Sequence, residues 1–179
     1  MDGVTDCAFR DVLSMHGADA VYSEFVAVDG IYHALDKMQS QMAFTENQRP
    51  YICQIFGKEP KLFAHAAKVI EEMGADGVDI NFGCPSRRVV QSGSGVKLMT
   101  DLERVYAIVE ATCNAVKNIP VSLKIRAGIN MKVEDQEKNA CGVEHMDAIR
   151  MITRIRELPF SALIMHGRTY EQGFKGDVN

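Results

Sequence analysis

Asp79-Ile80-Asn81-Phe82-Gly83-Cys84-Pro85 reads as a buried apolar strand ending in a Gly-Cys-Pro turn, and the glycine-rich loop Gln91-Ser92-Gly93-Ser94-Gly95 follows it. Asn and Cys at the end of such a strand stand at the rim of a sheet, where α/β proteins do their chemistry. Outward from Gly77–Asn81, further apolar, β-rich runs occupy residues 18–28, Tyr51–Phe56, 121–125 and Ala162–His166. Helical spacing separates them, as in Leu62, Ala66, Val69, Ile70 and Met73, and in Val105, Ile108, Val109, Thr112 and Val116. Pro60 suits the first turn of the former helix, Gly74 its end, and Asp101 the N-cap of the latter. Residues 5–17 and 146–158 read as further helices. Alternation of strands and helices in this way means a parallel sheet.

Each strand ends on polar residues: Ser23-Glu24, Gln54, Asn81 with Cys84, Lys124 with Arg126, and His166 with Arg168. Convergence of polar ends from several parallel strands is how a (β/α)8 barrel builds its pocket, and it suits an open sheet with one switch point less well. The expected fold class is therefore α/β, a partial (β/α)8 TIM barrel covering about strands 2 to 6 with the end of strand 1. A polar stretch at 128–137, part of a long segment (129–145) between Ala127 and His145, exceeds the usual length of a βα loop and reads as an active-site loop or a disordered insertion. Gly93-Ser94-Gly95 lacks the G-x-G-x-x-G spacing of a dinucleotide cradle and reads instead as a mobile lid.

Composition narrows the class. The chain has 179 residues, 46% hydrophobic and 25% charged, which suits one soluble domain with a real core. No run reaches the length of a membrane span and no signal peptide opens the chain, so a cytoplasmic protein with no membrane partner is expected. Cys7, Cys53, Cys84, Cys113 and Cys141 are scattered without a C-x-x-C pair, so neither a metal site nor a disulfide framework is expected. A net charge of −4 argues against strong phosphate-backbone binding by this segment alone.

The motifs Met1-Asp2-Gly3-Val4-Thr5-Asp6 with Phe9-Arg10, Gln54-Ile55-Phe56-Gly57, the Asp79 to Pro85 stretch, Gly93-Ser94-Gly95 with Leu98-Met99, Lys124-Ile125-Arg126 with Gly128, and His166-Gly167-Arg168-Thr169 occur in one order along the chain. In these the chain resembles the tRNA-dihydrouridine synthases, flavin-dependent barrel enzymes that reduce selected uridines in tRNA. The resemblance implies FMN as cofactor, NADPH or NADH as reductant and tRNA as partner; it says nothing of oligomeric state. It further implies that 1–179 is an incomplete flavin-binding TIM-barrel catalytic domain. Strands seven and eight, which carry the flavin phosphate site in relatives, and the C-terminal helical tRNA-binding domain are expected to be absent. The chain departs from the family at Tyr170, where relatives often carry a basic residue, and in the long segment before His145.

Reduction of the C5–C6 bond of uracil needs a hydride at C6 and a proton at C5, so a flavin on one face of the base calls for an acid on the other. Cys84 fits that acid, because a thiol with an ordinary pKa near ~8.5 is protonated at neutral pH. Lys124, ending a β-branched strand, suits the negative charge on the pyrimidine end of a reduced flavin, as the resemblance also implies. Gln54 offers a donor and an acceptor together to the imide edge of the same ring, and a hydrogen-bonded strand-end glutamine is its rival reading. Asn81 suits the Watson–Crick edge of uracil, which its counterpart in relatives contacts; an Asn capping the turn is the rival. The counterpart of His166 contacts the flavin in relatives, and Arg168 is read as substrate-binding, with a salt bridge as rival. Glu24 reads as structural, and Arg87-Arg88 as either an RNA-favouring pair beside the acid or a solvated surface pair.

Two other functions fit some of these residues. Dihydroorotate dehydrogenases carry a similar Asn-x-x-Cys-Pro strand end and act on a free pyrimidine, and a non-catalytic RNA-binding fragment needs none of the chemistry. The Gln54 segment, the loop after Cys84 and His166-Gly167-Arg168-Thr169 favour the tRNA enzyme.

Overall fold

The computed structural model describes residues 3–129, 147–173 and 175. The polar segment 130–145 singled out above lies outside them. Six strands, β1 (Val21–Tyr22), β2 (Val26–Ala27), β3 (Tyr51–Phe56), β4 (Gly77–Asn81), β5 (Val121–Arg126) and β6 (Ala162–His166), form one sheet in which every pairing is parallel. Its order is β1-β3-β4-β5-β6, with β2 also on β3. Helices alternate with these strands, so the sheet is the partial TIM barrel that the strand-helix repetition predicts.

The run expected at 18–28 is broken into two short strands. Val21 pairs with Tyr51 but Val26 with Ile55, so the first strand carries one residue more than its partner over the same span. That extra residue breaks the ladder, as a β-bulge does. The hydroxyl of Ser23 fills the gap by accepting from the backbone N–H of Gln54 at 2.8 Å. A side chain thus replaces a backbone acceptor there.

Seven α-helices are described: α1 (Cys7–Met15), α2 (Val28–His33), α3 (Leu35–Met42), α4 (Pro60–Glu72), α5 (Arg87–Gln91), α6 (Leu102–Ala115) and α7 (Asp147–Ile155). Local chemistry explains their ends. Asp6 caps α1 by accepting from Phe9 N–H at 2.8 Å, Asp101 caps α6 by accepting from Arg104 N–H at 3.1 Å, and Pro60 opens α4. Gly74 follows α4 with a φ of +81°, a conformation that glycine adopts without strain.

The period of two along each strand divides the sheet into two faces. Cys53, Ile55, Val78, Ile80, Leu123 and Ile125 point to one side and join a core with Phe63, Ala66 and Ile70 of α4 and Val105, Ile108 and Val109 of α6. Gln54, Asp79, Asn81, Ser122, Lys124 and Arg126 alternate with them and so occupy the other face. Apolar residues hold the helices, and the polar set is left for the barrel interior. No helix among the described residues is long and apolar enough to cross a membrane, and no His, Cys, Asp and Glu cluster among them is able to hold a metal ion.

Candidate active site

Strand register stacks the polar side chains in rows. Asp79 pairs with Gln54 on one side and Ser122 on the other, Asn81 with Lys124, and Arg126 with His166. Asp79 is fully buried, and its carboxylate accepts from Ser122 Oγ at 2.6 Å and from Gln54 Nε2 at 2.7 Å. Gln54 Oε1 accepts from Asn81 Nδ2 at 2.9 Å. Asn81 Oδ1 then accepts from the backbone N–H groups of Gly83 and Cys84 at 3.0 and 2.8 Å. One chain of hydrogen bonds therefore runs from a buried carboxylate to the backbone of the cysteine.

These bonds refine two of the expectations. Gln54 is already engaged at both ends, Nε2 donating to Asp79 and Oε1 accepting from Asn81, so one N–H and one lone pair of the oxygen are what it has left for a ligand. Asn81 performs the turn-capping role of its rival reading, and its second Nδ2–H is likewise what remains.

The loop after Asn81 is fixed from below. Val96 N–H donates to the Cys84 carbonyl at 3.2 Å, and Ser94, Gly95 and Val96 are buried. Gly95 has a φ of +62°, and a Cβ built on it would lie 2.8 Å from the Cys84 carbonyl oxygen. The glycine loop is thus wedged under the cysteine turn rather than hung over it as a lid, because only a residue without a Cβ fits so close to that carbonyl. Arg126 closes the other side: Nε donates to the Gly83 carbonyl at 2.9 Å and Nη1 to the Thr169 carbonyl at 3.2 Å.

Electrostatics follow from this burial. Desolvation pushes Asp79 above the usual carboxylate range, opposed by the donors Ser122 and Gln54 and by Lys124. Desolvation lowers Lys124, which the Asp79 charge counters. His166 is pushed below its ordinary value by burial and then by the cations Arg126, Lys124 and Arg168. Its Nδ1 accepts from Arg168 N–H at 3.1 Å, which leaves the proton of the neutral ring on Nε2.

A cleft of about 770 Å³ opens on this face. Gln54, Asn81, Cys84, Lys124 and His166 all line it, with Tyr22, Ser23 and Phe25 on one wall and Ile164 on another. Arg168 does not line it; it follows His166 in the turn. Glu24 accepts from Val4 N–H at 2.9 Å, as its structural reading requires, and Arg87 and Arg88 are exposed on α5 at the rim. Asp79 and Ser122 were not among the expected site residues, and Arg126 was expected only as a polar strand end. A polar residue every second position in 79–81 and 122–126 is the signal that marks them, since such alternation puts them all on the face of Asn81 and Lys124.

A parallel partial barrel whose cleft sits at the carboxyl ends of its strands, lined by a thiol, amides, a lysine and a histidine, belongs to the TIM-barrel class of small-molecule sites. The chain is a member of the dihydrouridine synthase (Dus) family, whose model matches residues 1–179. It is 36% identical over 183 residues to a probable tRNA-dihydrouridine synthase of Rickettsia bellii, covering 100% of this chain and 51% of that protein. Against tRNA-dihydrouridine synthase B of Shewanella oneidensis it is 32% identical over 178 residues, covering 99% of this chain and 51% of that protein. The chain spans about half the length of the curated relatives it matches.

Proposed function

We propose that this barrel segment carries the reducing site of an oxidoreductase that converts uridine in tRNA to dihydrouridine. The observation that carries the reading is the convergence of Cys84, Asn81, Gln54, Lys124 and His166, from four strands and a loop, on one cleft. At about 770 Å³ the cleft falls in the ~300–1,000 Å³ range of sites that enclose a small molecule. Half-buried Lys124 and the N–H of Gln54 fit the electron-rich pyrimidine end of a flavin, and His166 lines the same cleft.

When bound, FMN reduced by NADPH or NADH supplies the hydride for C6 of the base. Cys84 Sγ–H gives the proton at C5, so that two hydrogens add across the C5–C6 bond, and the thiolate regains its proton from water. Asn81 orients the base through its remaining Nδ2–H, and its Oδ1 holds the backbone of Cys84. Gln54, Lys124 and His166 hold the cofactor ring, and Arg168 supports the substrate from the turn after β6. Neutral His166 donates from Nε2 at pH 7 without adding a fourth cation. Residues 1–179 act here as part of a larger flavin-binding barrel, with tRNA held by the remaining length of the protein, in the cytoplasm.

The test is dihydrouridine formation in unmodified tRNA by the full-length protein with FMN and NADPH, compared with Lys124→Ala. Removal of a charge-assisted contact costs about 1.5–3 kcal/mol, so FMN affinity falls about 10- to 150-fold in the variant. An active wild type whose FMN affinity survives Lys124→Ala unchanged excludes Lys124 from the cofactor site. No dihydrouridine from the wild type defeats the whole reading.

A further inference from the structure

Asp79 is the one charged side chain of the site that touches neither the cleft nor solvent, yet it is where the hydrogen-bond chain starts. A carboxylate accepts and does not donate. Gln54 must therefore turn Nε2 toward Asp79, which directs Oε1 to Asn81 and obliges Asn81 to donate from Nδ2. The backbone N–H groups of Gly83 and Cys84 demand the same orientation from the other end, since they need Asn81 Oδ1. Asn81 Oδ1 is consumed by two backbone donors and Gln54 Oε1 is engaged by Asn81, and each amide has one N–H left on the side of the cleft that it lines.

We propose that Asp79 is a positioning residue that sets the polarity of the Gln54 and Asn81 amides, so that each turns its spare N–H to this floor and favours ligand edges built from carbonyl acceptors. The reading rests on the cleft holding FMN and a uracil, both of which present such carbonyls. It differs from a role for Asp79 as the counter-charge of Lys124, because what matters is which atoms accept and not the net charge.

Two variants of the full-length protein separate these roles. Asp79→Asn removes the charge and keeps the polarity: the new amide's oxygen accepts from Gln54, and its nitrogen donates to the Ser122 hydroxyl, which rotates to receive it. Expected are FMN affinity within about threefold of wild type and an unshifted carbonyl stretching band of bound FMN, since the neutral donors remain. The pair Gln54→Glu with Asp79→Asn reverses the bond between 54 and 79, leaves every buried group partnered and puts an acceptor on the floor. It is expected to fold, as read by circular dichroism, and to bind FMN about tenfold or more weakly, the size of one lost donor and a new repulsion.

Loss of affinity beyond tenfold in Asp79→Asn alone overturns the proposal in favour of the charge. An unfolded pair, or a folded pair that binds FMN as wild type does, overturns it too. Failure of wild type to bind FMN at all is a different result, and defeats the flavin reading itself.

Discussion

At position 79 a carboxyl group is held out of solvent among neutral donors, and this gives stability a definite pH dependence. Burial raises the Asp79 pKa above its ordinary 3.8, so the folded chain binds the proton more tightly than the unfolded one. That contribution is fully present below the unfolded value and is lost as pH rises through the folded value. Asp79→Asn is thus expected to melt higher than wild type at pH 7, with the gap closing below about pH 3.8, in thermal melts across the range. A variant that melts lower at pH 7 contradicts this. His166 carries the opposite shift, titrating below its ordinary 6.5 because burial and nearby cations oppose the charged ring. Nitrogen-15 NMR should find a neutral ring at pH 7 protonated on Nε2, and an imidazolium there contradicts the placement.

Among the elements, the wedge formed by Gly95 under the cysteine turn is the most exposed to a single change. Gly95→Ala forces a Cβ into a φ of +62° and to within 2.8 Å of the Cys84 carbonyl oxygen. A cost of about 1–3 kcal/mol is expected from strain at such a position, seen as a lowered melting temperature together with a changed rate of Cys84 alkylation by iodoacetamide. Unchanged alkylation and stability would return the loop to the role of a free lid. The strands Tyr51–Phe56, Gly77–Asn81 and Ala162–His166 were legible because each is a bounded, β-rich run between helical or turn signals. The break in 18–28 was not, because it depends on Ser23 reaching Gln54 across strands. Helix α2 also escaped, being six residues with a glycine inside, too short for a period to register. The site followed the same division: Cys84, Lys124 and Asn81 were legible as residue types at strand ends, whereas the polarity of Gln54 needed the register with Asp79.

On the scale of the whole molecule, one alternation does two jobs. Apolar residues on one face of the sheet bind α4 and α6, and the polar residues between them build the cleft, so the core and the site are two sides of the same strands. In the proposed function, holding a ligand is separate from reacting with it: Gln54, Lys124 and His166 come from β3, β5 and β6, while Cys84 sits on the loop after β4. The two half-reactions should therefore separate in rapid-mixing experiments on full-length Cys84→Ala. Reduction of bound FMN by NADPH is expected at the wild-type rate, and its reoxidation by tRNA about 10²–10⁴-fold slower, the usual contribution of a general acid. Reoxidation by tRNA at the wild-type rate would contradict the assignment of Cys84 as the proton donor.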